Sequence, residues 1–88
     1  MFEWDPDKAE SNLAKHGVPF DYATGVFRDP RSADFDASRA GDKEIRRKVV
    51  GAIEGKLFVV VYTDRAGVRR IISARRANAM EQRVYGPI

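Results

Sequence analysis

Cysteine is absent from this chain, and histidine occurs once, at His16. Without thiols there is no disulfide framework, no thiolate nucleophile, no iron-sulfur cluster and no Cys-rich zinc site, and a lone histidine leaves little from which to build an imidazole metal centre. No apolar stretch approaches the roughly 20 residues that a membrane-spanning helix needs. The segment Met1-Phe2-Glu3-Trp4-Asp5 has neither the basic region nor the apolar core of a secretory leader. A cytoplasmic protein without membrane contact is therefore expected. Also missing are a G-x-x-x-x-G-K-[ST] phosphate loop, a G-x-G-x-x-G turn after a strand, an H-E-x-x-H pair and a G-x-S-x-G elbow. Nucleotide-cofactor and hydrolase-triad chemistries fall away with them, so no cofactor and no resident metal are expected.

What is present suits one small globular domain spanning residues 1–88, with 43% hydrophobic and 33% charged side chains. The net charge of +3 conceals an asymmetry: residues 1–36 carry 4 basic and 8 acidic side chains, residues 37–88 carry 12 and 5. A positive field concentrated on the second half points to an anionic partner. Eleven of the sixteen basic residues are arginine, whose planar fork meets phosphate oxygens two at a time and stacks on bases.

Phe2 and Trp4 alternate with acids as in a short strand. Asp5-Pro6 then opens a helix to about His16, with Ala9, Leu13 and His16 on one face, Gly17 ending it and Pro19 blocking continuation. A second short helix is expected over residues 20–27, with Phe20, Ala23, Val26 and Phe27 inward. Ala33 to Asp36 alternate like an edge strand. From Glu44 the pattern becomes an antiparallel meander of residues 44–53, 56–63 and 68–76, with a Glu54-Gly55 turn and a second turn through Asp64 to Gly67. Leu57 to Tyr62 are apolar on both faces, which places that strand centrally. Asn78 and Glu81 form a capping-box pair for a last helix, whose Met80 and Val84 are expected to pack on the sheet.

Strict alternation along the last strand sets Arg70, Ile72, Ala74 and Arg76 on one face and Arg69, Ile71, Ser73 and Arg75 on the other, while Arg46 and Lys48 share a face of the first meander strand. If these strands flank the central one, arginines from both rims, joined by Arg65 from the turn, converge on one phosphate site; solvated strand ends paired to Glu44, Glu54 and Asp64 are the plain alternative. His16 and Lys15, at the end of the first helix, are candidate proton carriers. Tyr85 shares a helix face with Glu81, where it stacks on a base, positions a phosphate or plugs the core. Asp34 and Asp36, on one face of the edge strand, are the only candidate metal pair, and edge carboxylates more often serve solubility.

Phe2-Glu3-Trp4-Asp5-Pro6 with Lys8, Ala9 and Asn12, Lys15-His16-Gly17-Val18 with Phe20 and Ala23, Val26-Phe27 with Asp29, Glu44, Arg46 and Gly51, Val61 to Arg65, the run RIISARRA from Arg70 to Ala77, and Glu81 with Tyr85 follow one another in this chain. In this order and spacing they resemble the BrnT-type toxins of bacterial toxin-antitoxin pairs, a branch of the RelE-like ribonucleases. The resemblance implies a compact RelE-like α+β domain, its antiparallel meander preceded by two helices and followed by one. It also implies RNA cleavage that shuts down translation, with messenger RNA on the ribosome among the expected targets. The expected partner is a cognate BrnA-type ribbon-helix-helix antitoxin, through which alone operator DNA is contacted. The family often has two consecutive acids before the arginine matched by Arg46; here Ile45 takes the second place, and Glu44 is left to carry the acidic role.

Together these readings lead to an expectation of metal-independent attack by the ribose 2′-hydroxyl on the adjacent phosphate. Arg46, Arg65, Arg70 and Arg75 are expected to hold the phosphate, Glu44, Lys15 or His16 to carry protons and Tyr85 to position the RNA, with Arg69, Arg76, Lys48 and Arg83 as further RNA contacts. A basic module that binds nucleic acid or a partner without cutting is the alternative.

Overall fold

The structure, a computed structural model, describes residues 1–87. Strand β1 (Phe2–Trp4) leads into helix α1 (Pro6–His16), then α2 (Phe20–Ala23), which tightens directly into a 3₁₀ turn over Thr24–Arg28. Strands β2 (Ala33–Asp36), β3 (Arg46–Ile53), β4 (Lys56–Arg65) and β5 (Val68–Arg76) follow, and α3 (Ala79–Tyr85) comes last. The five strands form one mixed sheet in the order β1-β5-β4-β3-β2, with β1 parallel to β5 and every other pair antiparallel. β4 is central, as its two-sided apolar run requires.

Local chemistry explains the ends of these elements. Asp5 accepts from the Asp7 amide, Pro6 occupies the first helical turn, and Gly17 closes α1 at φ +71°. Both hairpins turn on two residues with positive φ, Glu54-Gly55 and Ala66-Gly67, the geometry whose twist matches the flanking strands. The second turn is therefore shorter than expected, and β4 runs through Asp64 to Arg65.

One face of the sheet is covered by α2 and the 3₁₀ turn, which close over Val49, Phe58, Val60, Tyr62, Ile71 and Ala74 with Val18, Phe20, Ala23 and Val26. The 3₁₀ turn lies almost against β3 at Gly51: a Cβ there would be 2.8 Å from Val26 Cβ and 2.9 Å from the Val26 carbonyl oxygen. Because one of those obstacles is backbone, Gly51→Ala is expected to lower stability by about 1–3 kcal/mol. Urea denaturation measures this, and an unchanged midpoint would show that the turn can move away freely.

On the opposite face α3 covers only one end of the sheet, over Val50, Leu57, Val59 and Ala77. Its inward residues are Glu81 and Tyr85, whereas Met80 and Val84 are exposed, which corrects the expected packing of α3. The reason is polar: Glu81 completes both the capping box and a buried ion pair, and Tyr85 donates its hydroxyl to Asp29 Oδ2 at 2.6 Å. A similar correction applies to α1, where Leu13 is half-exposed and Asn12 is buried. Asn12 accepts from the Ala74 amide at 3.1 Å and donates to the Ala74 carbonyl at 2.8 Å. It thereby satisfies the edge of β5 beyond Ile71, where pairing with β1 ends.

The decisive irregularity lies in β5. Ser73 pairs with Val61 and Ile71 with Tyr62, so Ile72 is an extra residue opposite no partner. The bulge shifts the alternation by one. Ile71 and Ala74 both enter the core beneath α2, Arg69 and Arg76 share their face, and Arg70, Ser73 and Arg75 turn to the other. This corrects the strict alternation expected from the sequence.

Candidate functional site

The face that α3 leaves open carries cations from three adjacent strands. Arg46 on β3 and Arg70 on β5 stand directly opposite Thr63 of β4, one on each side, and directly opposed side chains on one face lie within about 5 Å at Cβ. Arg65 follows Thr63 by two residues and so returns to the same face. These residues, with Glu44, Lys8, Asp42, Lys43 and Ile72, line a polar cleft of about 170 Å³. Five cations and two carboxylates give the cleft a positive balance.

Each arginine of the cleft has an acidic neighbour. Arg65 binds Glu44 through two nitrogens at 2.6 and 2.7 Å, Arg70 reaches Glu3 at 3.1 Å, and Arg46 stands 4.0 Å from Asp42. Arg65 and Glu44 are the more exposed pair, and solvent screens them. Hydrogen bonding from Arg65 holds the Glu44 carboxyl below its ordinary range, so at neutral pH Glu44 is an ionised acceptor. The surface pairing expected as the plain alternative and the shared cleft thus coexist in the same residues.

Lys15 and His16 lie in an adjoining groove with Ser11, Asn12 and Ser73, and the two hollows share Lys8 and Ile72. Lys8, Asn12 and Lys15 recur at helical spacing along α1, a pattern legible in the sequence that places Lys8 beside the cleft. Asp42 and Lys43 carried no such signal, and Thr63 entered only within the Val61 to Arg65 run of the resemblance.

Other candidates are held elsewhere. Arg75 is on the cleft's face of the sheet, but both branches of its guanidinium donate to Glu81 at 2.8 Å, and Lys48 Nζ reaches the same carboxylate at 2.9 Å. Glu81 is nearly fully buried, and its pKa is drawn down to about 2, chiefly by Arg75. Tyr85 is buried with its hydroxyl on Asp29, and Arg31 lies over its ring; it does not line the cleft. Arg69 stacks on Phe27 and Tyr62, and Arg76 on Phe58, both on the opposite face of the sheet. Arg83 lines a separate hollow beside Gly86 and Pro87. Asp34 binds Arg47 and the Tyr62 hydroxyl, and Asp36 caps the Ser38 amide. Among the described residues no cluster of three or more His, Cys, Asp or Glu could hold a metal ion.

A scan against protein-family models matches residues 4–81 to the ribonuclease toxin, BrnT, of type II toxin-antitoxin systems. The chain belongs to the BrnT family. A search of curated proteins gives no match. The BrnT match runs from the last residue of β1 to the first turn of α3 and so includes every residue of the cleft. An RNA substrate and an antitoxin partner follow from family membership. Among the described residues no helix is long and apolar enough to cross a membrane.

Proposed function

We propose that the cleft between Arg46 and Arg70 is the RNA-cleaving site of a RelE-like toxin that arrests translation. The observation carrying this reading is the alignment of Arg46, Thr63 and Arg70 across three strands, with Arg65 and Glu44 at the same cleft. Cleaving RNA through its own 2′-hydroxyl requires fixed positive charge where the phosphorane develops negative charge, a base for the 2′ proton and an acid for the leaving 5′ oxygen. Arg46 and Arg70 supply the charge. The incoming phosphate competes with Glu44 for Arg65, and the carboxylate so released accepts the 2′ proton. The proton for the leaving oxygen comes from Lys15 or His16, whose groove joins the cleft at Lys8 and Ile72. Arg75 and Lys48 support the site from beside Glu81, and Tyr85 does so by anchoring α3.

No step in this scheme needs a metal ion. A BrnA-type ribbon-helix-helix antitoxin neutralises the toxin and links it to operator DNA. The purified protein, incubated with RNA in excess EDTA, is expected to leave 2′,3′-cyclic phosphate and 5′-hydroxyl ends. End mapping checks this: 5′-phosphate ends, or activity lost to EDTA, would overturn the mechanism.

A further inference from the structure

Among the described residues Thr63 is one of three buried polar or charged residues, at 5% exposure, and it lies at the floor of the cleft between Arg46 and Arg70. The other two are fully engaged: Asn12 bonds Ala74 and Val18, and Glu81 binds Arg75, Lys48 and the Asn78 amide. The neighbouring Tyr62, Arg65 and Arg70 bond Asp34, Glu44 and Glu3, and no hydrogen bond among the described residues reaches the Thr63 hydroxyl. Yet among the described residues every side-chain nitrogen or oxygen that is shut off from solvent has a partner. The hydroxyl therefore belongs to the small part of Thr63 that still reaches the cleft. On the same face of β4, Thr63 is preceded by Val59 and Val61. Valine has nearly the same shape and also favours strands, so packing alone gives no reason for an oxygen at this position.

We infer that the Thr63 hydroxyl touches the substrate, donating a hydrogen bond to a non-bridging oxygen of the phosphodiester held between Arg46 and Arg70. Two guanidinium groups neutralise an anion but leave it free to slide along the plane of the sheet. A short hydroxyl rising from the strand between them fixes the phosphate's depth and orientation. The donor is uncharged, so its effect falls on alignment in the transition state more than on RNA affinity. This inference rests on the location of the site proposed above.

The test compares Thr63→Val, Thr63→Ser and Arg70→Ala on a 5′-labelled, mixed-sequence single-stranded RNA, reading single-turnover cleavage, RNA affinity and melting temperature. Thr63→Val is expected to cleave about tenfold to a hundredfold more slowly, with affinity within a few-fold of the parent and an undiminished melting temperature. Thr63→Ser should recover most of the rate. If Thr63→Val cleaves at the parental rate while Arg70→Ala is impaired, the role of Thr63 is overturned and the site stands. If both cleave at the parental rate, the site itself is misplaced. Equal loss in Thr63→Ser and Thr63→Val would assign the effect to the methyl group and overturn the inference as well.

Discussion

Arg46→Ala and Arg70→Ala are each expected to reduce RNA cleavage by about a hundredfold or more, without unfolding the protein. Both residues stand opposite Thr63 on the open face and line the cleft in which the phosphorane is proposed to form. Their removal strands no buried ion: Glu3, left behind by Arg70, has a side chain 42% exposed, and the Arg46–Asp42 contact is a distant 4.0 Å. Stability should therefore change little. If the arginines only attracted RNA, lowering the ionic strength would restore the rate, because long-range attraction strengthens as screening falls. Transition-state contacts predict that the defect persists in low salt. Parental cleavage and parental growth arrest by both variants would remove the basis for placing chemistry in this cleft.

The second large effect concerns stability and pH. Glu81 receives two hydrogen bonds from Arg75, one from Lys48 and one from the Asn78 amide, and its side chain is 5% exposed. Glu81→Ala would leave two half-buried cations without a counter-charge and open the capping box of α3, a loss of about 3 kcal/mol. For a domain of this size that lowers the melting temperature by more than about 10 °C. Calorimetry checks it, and a fall of only a degree or two would show that Arg75 and Lys48 relax into solvent at no cost.

The same carboxyl governs part of the acid sensitivity. Its pKa in the folded protein, about 2, lies below the ordinary 4.5, so the folded state binds this proton less readily than the unfolded chain. The stabilisation is fully present above about pH 4.5 and is lost as the pH falls toward 2. A Glu81→Gln variant cannot titrate there and should show a flatter stability profile between those limits than the parent. Identical slopes would remove Glu81 from the account.

Much of the architecture could be read from short-range chemistry. The Asp5-Pro6 start and Gly17 stop of α1, the Glu54-Gly55 hairpin, the Asn78/Glu81 capping box and the central position of the Leu57–Tyr62 run depend on neighbours a few residues apart, and all are present. Patterns failed where an apolar side chain lost its inward place to a polar one with better bonds. Asn12 faces inward rather than Leu13 because the edge of β5 needs a donor and an acceptor. Glu81 and Tyr85 displace Met80 and Val84 from the sheet because Arg75, Lys48 and Asp29 bind them there.

The cleft follows the same division. Charge counting and the abundance of arginine indicated an anion-binding second half, and the resemblance brought Glu44, Arg46, Arg65 and Arg70 forward together. Neither could sort the arginines of β5 by face, since strict alternation assigns Arg70 to the company of Arg76 and Arg69 to that of Arg75. The Ile72 bulge reverses the assignment midway, sending Arg70 and Arg75 to the face of Arg46 and Lys48 while Arg69 and Arg76 stack on aromatic rings opposite. The sequence by itself determined the elements, the sign of the charge and the family; tertiary structure alone decided which arginines share a face. The physical reason is that a bulge arises from how two distant strands pair and fill a common core, and no local propensity records it.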